Sequence, residues 1–170
     1  MCGNINNVSP IKVNEKMTHD ELVKRSAKWL KNNQVSTMRF PIILSEYRSY
    51  SNSEPDVIGM NHDRTCVIEC KISRSDYFAD IKKGHRHYTF QLGNYRYYIV
   101  PAGLITVEEV NEGWGLLYCH EHKITIEKKS DIFPKEQTRL QEYQVMYSLI
   151  RRLMSYDGHD KTLGMLRENK

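Results

Sequence analysis

Residues 54–71 read EPDVIGMNHDRTCVIECK, and this stretch decides the fold. Two short runs, 56–60 and 65–72, flank the polar tetrad Asn61-His62-Asp63-Arg64, the pattern of two strands joined by a tight turn. With His62 and Asp63 as the central pair, Met60 falls opposite Thr65, Ile58 opposite Val67, and Asp56 opposite Glu69. Opposed residues share a face, and the two-residue period of a strand puts Lys71 on that face one step beyond Glu69. Buried strands exclude unpaired charge, so Glu69 and Lys71 inside an otherwise apolar run are the anomaly to explain.

Two carboxylates about 5 Å apart repel by about 3 kcal/mol at an effective dielectric near 20. A divalent cation between them converts repulsion into ligation, and hard oxygen donors suit Mg²⁺ or Mn²⁺. An amine beside the pair can stabilise charge on a phosphate or hold an attacking water. The competing reading is plainer: the same register sets Glu54 opposite Lys71, as in a surface ion pair, and a one-residue slip would put Asp56 and Glu69 on opposite faces.

Working outward, Thr18-His-Asp-Glu21 is a capping-box start for an amphipathic helix to about Asn32. Residues 36–47 read as a strand, with Pro41 marking an edge or a bulge. Ser73-Arg-Ser-Asp76 opens a second helix to about Lys83, with Tyr77, Phe78 and Ile81 inward. A strand at 95–101, a short helix near 106–110 and a strand pair at 115–120 and 123–128 follow. The segment 137–154 then carries Leu140, Tyr143, Tyr147, Ile150 and Met154 at helical spacing. Without repeats or low-complexity linkers, the 170 residues are expected to form one α/β domain, with 1–15 a flexible arm and 156–170 a polar tail.

A hydrophobic fraction of 39% with 27% charged residues is ordinary for a soluble globular chain. The net charge of +4 permits a polyanionic partner without requiring one. No run is long enough for a membrane span, and the first residues lack the apolar centre of a signal peptide, so a cytoplasmic protein without a membrane partner is expected. Cys66 and Cys70, roughly 13 Å apart on a strand, are too distant to bridge. Cys119-His120-Glu121-His122 is a poor zinc cluster, because neighbouring strand residues point to opposite faces.

Pro55-Asp56 followed by Glu69-Cys70-Lys71 resembles the signature of the PD-(D/E)XK nuclease superfamily. The order helix–strand–strand–strand–helix–strand is similar to that superfamily's restriction-endonuclease-like core, a mixed sheet flanked by helices, here with an added C-terminal strand pair and helix. More narrowly, IECKISRSDYFADIKK and YRYYIVPAGL resemble the MmcB-like branch of DNA-repair-related endonucleases, over about residues 18–104. The resemblance implies a deoxyribonuclease dependent on Mg²⁺ or Mn²⁺, acting in DNA repair or in phage or bacterial DNA processing. It implies that Asp56, Glu69 and the main-chain carbonyl of Cys70 hold metal, and that Lys71 stabilises charge and positions water. Glu21 matches an acid that many members supply from the first helix, but it also serves the capping box. Glu46 is a second candidate for that role.

Arg74, Lys82, Lys83 and Arg86 are candidate nucleic-acid contacts, against the plain alternative of a solvated charged face. Two rival functions remain: a module of the same fold that binds nucleic acid or protein without cleaving, and an interaction protein whose helix 137–154 docks a partner or closes a homodimer.

Overall fold

The structure is a computed structural model that describes residues 17–33, 35, 37–49, 54–84 (side chains to 82) and 92–155. The expected arm and tail, and the residue Arg86, lie outside the described residues. In chain order the elements are α1 (His19–Asn32), β1 (Ile42–Ser45), β2 (Val57–Met60), β3 (Thr65–Cys70) and α2 (Arg74–Gly84). They continue with β4 (Tyr95–Pro101), a 3-10 turn at Val107–Glu109, β5 (Gly115–Cys119), β6 (Ile124–Lys128) and α3 (Lys135–Ser155).

The strands make one mixed sheet in the order β1-β2-β3-β4-β5-β6. β3, β4 and β5 are mutually parallel, and the remaining pairs are antiparallel. Helix α2 makes the crossover from β3 to β4, as parallel neighbours require. Helix α1 covers one face, where Leu22, Val23 and Leu30 pack on Val57, Ile68, Tyr95, Tyr97 and Ile99. It approaches closely at Gly59, where a Cβ would lie 2.6 Å from the Leu30 side chain. On the opposite face Tyr77 of α2 joins Tyr98, Val100, Trp114 and Leu116, and Val145 of α3 joins Ile58, Met60 and Val67.

Both caps form where the sequence places them. Thr18 accepts from the Glu21 amide at 3.2 Å, and Ser73 accepts from the Asp76 amide at 3.1 Å. The central hairpin has the expected register, Met60 opposite Thr65 and Ile58 opposite Val67. Its turn is stabilised by Asn61, whose side-chain oxygen accepts from the amides of Asp63 and Arg64 at 2.8 and 2.7 Å. That Asx geometry supplies what the weak His-Asp turn lacks.

Two expectations need correction. The strand expected over 36–47 shrinks to Ile42–Ser45. Thr37 lies in the left-handed region at φ 71°, and Pro41 has no N–H to give the ladder. Helix α3 is turned over relative to its apolar stripe. It buries Thr138, Gln141, Val145 and Ser148 and leaves Leu140, Tyr143, Met146, Tyr147, Ile150 and Leu153 exposed. Polar bonds hold it in that orientation: Thr65 Oγ1 donates to Glu142 Oε1 at 2.6 Å, and Asn94 Nδ2 donates to Thr138 Oγ1 at 3.3 Å. No described helix is long and apolar enough to cross a membrane.

Candidate functional site

Asp56 directly precedes β2, whose register with β3 runs to Val57↔Ile68, and its carboxylate lies within electrostatic reach of Glu69. Asp56 Oδ2 accepts from the Cys70 amide at 2.7 Å, and its Oδ1 lies 3.4 Å from His19 Nε2 at the start of α1. An extended residue turns its N–H and C=O to the same strand edge, so the Cys70 carbonyl also projects toward the Asp56 side.

Glu69 stands at the end of β3 with one fifth of its side chain exposed. Burial, offset in part by Lys71 and reinforced by the carboxylates of Asp56 and Asp80, pushes its pKa up to about 8. Lys71 Nζ lies 3.7 Å from Glu69 Oε2 and 3.5 Å from Asp80 Oδ1, and the Lys71 amide donates to the Ile99 carbonyl at 3.0 Å. Burial opposes charge on this amine, but Glu69, Asp80, Asp76 and Asp56 outweigh it and hold its pKa above the ordinary lysine value. Lys71 is therefore a charged ammonium, one tenth exposed, set between two carboxylates rather than paired with Glu54 at the surface.

Among the described residues, the carboxylates of Asp56, Glu69, Asp76 and Asp80 outnumber the one ammonium at this end of the sheet. Glu69 relieves their repulsion by holding a proton, and a hard divalent cation would relieve it by ligation. The donor set fits such an ion: two carboxylates on adjacent strands and a carbonyl turned toward them.

A second group adjoins the first. One ligand atom each from His19, Asp20 and Glu46 lie within 4.8 Å of one another. Glu46, the residue after β1, sits at φ 48°, left-handed for a residue with a side chain, and its amide donates to the Asp56 carbonyl at 2.8 Å. The acids of the first helix and first strand that reach this corner are thus Asp20 and Glu46. Glu21 is exposed and bears instead on Cys119, whose thiol pKa it helps to raise.

Of the expected nucleic-acid contacts, the side chains of Arg74 and Lys82 are among those described. Arg74 donates through Nη1 to Glu109 Oε2 and the Leu104 carbonyl, both at 3.0 Å, and through Nη2 to Glu109 Oε1. It also lies over the Phe78 ring at 5.1 Å, so it ties α2 to the 3-10 turn. Lys82 is exposed on α2. The side chain of Lys83, and all of Arg86, fall outside the described residues. Cys66, Cys70 and Cys119 are free and buried. His120 bonds Thr125 at 2.9 Å, and His122 is 87% exposed, so that segment converges on no metal position.

Sequence reasoning missed Asp80, His19 and Asp20. Asp80 had a usable signal: it lies three residues after Tyr77 and one before Ile81, on the inward stripe of α2, where a charge needs a partner. His19 and Asp20 had none, because only the tertiary placement of α1 brings its first turn to Asp56.

No family model matches the chain, and no curated protein matches it. A solved structure, the SPO1766 protein of unknown function from Silicibacter pomeroyi, is similar with a TM-score of 0.58 at 20% identity, covering 86% of this chain and 96% of that one. At that identity the likeness bears on the fold alone.

Proposed function

We propose that the chain is a metal-dependent nuclease that hydrolyses phosphodiester bonds in DNA, with the sheet and its helices serving as a restriction-endonuclease-like core of the PD-(D/E)XK type, MmcB-like branch. The observation that carries this reading is the placement of Lys71 between Glu69 and Asp80, with Asp56 across the hairpin. An amine caged by acids at the open end of a sheet is costly as structure and apt as chemistry.

Asp56, Glu69 and the Cys70 carbonyl would hold Mg²⁺ or Mn²⁺, which supplies charge stabilisation at the phosphate and a water of lowered pKa. Lys71 donates hydrogen bonds to the attacking water or to a non-bridging oxygen as charge accumulates there. Asp80 positions Lys71, and its Oδ2 in turn accepts from the Tyr98 hydroxyl at 3.4 Å. The water oxygen bonds phosphorus and releases a proton to solvent as the bond to the 3′ oxygen breaks, and the departing oxygen takes a proton from solvent. In this reading the first-helix acid is Asp20, supported by Glu46, rather than Glu21.

The test is cleavage of supercoiled plasmid and of a labelled oligonucleotide by purified protein with Mn²⁺ or Mg²⁺. Wild type should nick or degrade DNA, whereas Asp56→Asn and Lys71→Met should abolish cleavage with the circular dichroism spectrum unchanged. A folded wild type that leaves both substrates intact, or variants as active as wild type, would end the proposal.

A further inference from the structure

Beyond the acidic corner, α3 and the chain leaving β1 enclose a groove of about 350 Å³ lined by Arg48, Ser49, Ser148, Arg151, Arg152 and Ser155. Among the described residues, its lining carries three guanidiniums and no carboxylate. Arg152 is held in place, with its guanidinium 4.4 Å from the Tyr47 ring centre and Nη2 donating to the Arg48 carbonyl. The hydroxyls of Ser148 and Ser155 donate to the carbonyls of Gln144 and Arg151, both at 2.7 Å, so they offer lone pairs and leave anion recognition to the arginines. The half negative charge of a helix C-terminus opposes an anion here, and the full charges of Arg48 and Arg152 outweigh it.

Position gives the groove its meaning. Arg48 follows Glu46 by two residues, at most about 7 Å along the chain, and Glu46 is hydrogen-bonded to Asp56. A second described concavity, between Trp29 and Ile124, contains Glu121. We infer that the Arg48–Arg151–Arg152 groove is the phosphodiester-backbone subsite of this protein, holding strand phosphates a few nucleotides from the acidic corner. Arg152, already held by the Tyr47 ring and the Arg48 carbonyl, loses little side-chain freedom on binding such oxygens.

The inference rests on the nuclease reading for its substrate class, and its test is kept separate from cleavage. Binding of a fluorescein-labelled single-stranded oligonucleotide is followed by anisotropy in chelator, in the Asp56→Asn background, across a salt series. Each lost phosphate contact lowers the log K against log salt slope by about 0.7–0.9, so Arg48→Ala with Arg151→Ala should lower it by between one and two and weaken binding at least tenfold. Arg48→Lys with Arg151→Lys, which keeps the charge, should retain most of the slope and excludes a folding artefact. An unchanged slope in the alanine variant overturns the subsite even if wild type cleaves DNA. A reduced slope in a protein that cleaves nothing upholds the subsite and removes the nuclease.

A different observation carries a second inference. The exposed side chains Leu140, Tyr143, Tyr147 and Ile150 (49–66% exposed) repeat at three- and four-residue intervals, the spacing of a helix-pairing seam. Met146 and Leu153 widen it on one flank, while Ser148 of the groove belongs to the buried face. Half-exposed side chains of this size amount to roughly 600 Å² per copy, so two such faces together would hide about 1,200 Å², the lower bound of a specific interface. The geometry points to a second copy of this chain, α3 against α3 about a two-fold axis, because an isologous contact needs one self-complementary patch. Light scattering at tens of micromolar should give twice the 20.1 kDa chain mass, and Tyr143→Glu with Ile150→Glu should give the single mass with an unchanged dichroism spectrum. A monomeric wild type, or a double variant that remains dimeric, overturns it.

Discussion

The Asp56 carboxylate accepts from the Cys70 amide at 2.7 Å, so a side chain supplies the rung that the backbone ladder lacks beyond Val57 and Ile68. The same carboxylate turns its other oxygen toward His19. One residue therefore fixes the end of the hairpin register and brings the first turn of α1 to the acidic corner. Any substitution at Asp56 tests structure and chemistry together unless the two are separated.

They separate by isosterism. Asp56→Ala leaves the Cys70 amide, in a buried residue, without an acceptor, at a cost of about 1–3 kcal/mol. Asp56→Asn keeps an acceptor and should stay within about 1 kcal/mol of wild type. Urea denaturation in chelator measures both. Equal losses in the two variants would mean that the hydrogen bond contributes nothing and that some other effect dominates.

Glu69 should make the metal-free protein less stable as pH rises. Its pKa is about 8 in the fold against an ordinary 4.5, so between those values the native state holds a proton that the unfolded chain has released, and stability falls with pH. A shift of that size is worth at most about 5 kcal/mol. With one fifth of the side chain in solvent, about 1–2 kcal/mol is expected after screening. Glu69→Gln should flatten the decline and raise the melting temperature by a few degrees near pH 8 in chelator. Because a cation competes with that proton, millimolar Mn²⁺ should stabilise wild type more near pH 8.5 than near pH 6. A Glu69→Gln protein with the same pH slope as wild type would refute the assignment.

Much of this was legible in residues 54–71, because a strand has a period of two and a short turn leaves few registers. Ile58 against Val67 follows from counting, and with it the nearness of Asp56 to Glu69 and Cys70. What counting could not give was the orientation of α3. Its apolar stripe is stronger than its buried face, and the burial of Thr138, Gln141 and Ser148 depends on partners such as Asn94 and Glu142–Thr65 that are distant in sequence. The same holds for His19, whose place beside Asp56 is set by the close packing of Leu30 on Gly59. Periodicity reports what an element could bury, and tertiary hydrogen bonds decide what it does bury.

Asp80 should tune both members of the Glu69–Lys71 pair. Removing its charge takes away a carboxylate that raises the pKa of Glu69 and one that holds up the pKa of Lys71. Asp80→Asn should therefore make Glu69 more acidic and Lys71 easier to deprotonate, and Lys71→Met should move Glu69 further upward. Carbon-13 NMR of the Glu69 carboxyl across a pH series reads these shifts directly. A titration of Glu69 that ignores both substitutions would place Lys71 and Asp80 outside its electrostatic reach.

Arg74 offers the sharpest contrast between a phosphate contact and a clamp. Its guanidinium is engaged by both Glu109 oxygens and by the Leu104 carbonyl, which anchors α2 to the turn after β4. As a clamp, Arg74→Ala and Glu109→Gln should each lower the melting temperature, the loss should shrink in high salt, and neither should alter oligonucleotide affinity. As a phosphate contact, Arg74→Ala would weaken binding and Glu109→Gln, by releasing the guanidinium, would strengthen it. Opposite signs in the binding assay would return Arg74 to the nucleic-acid surface, whereas two stability losses without a binding change keep it in the scaffold that holds Lys71 and Asp80 together.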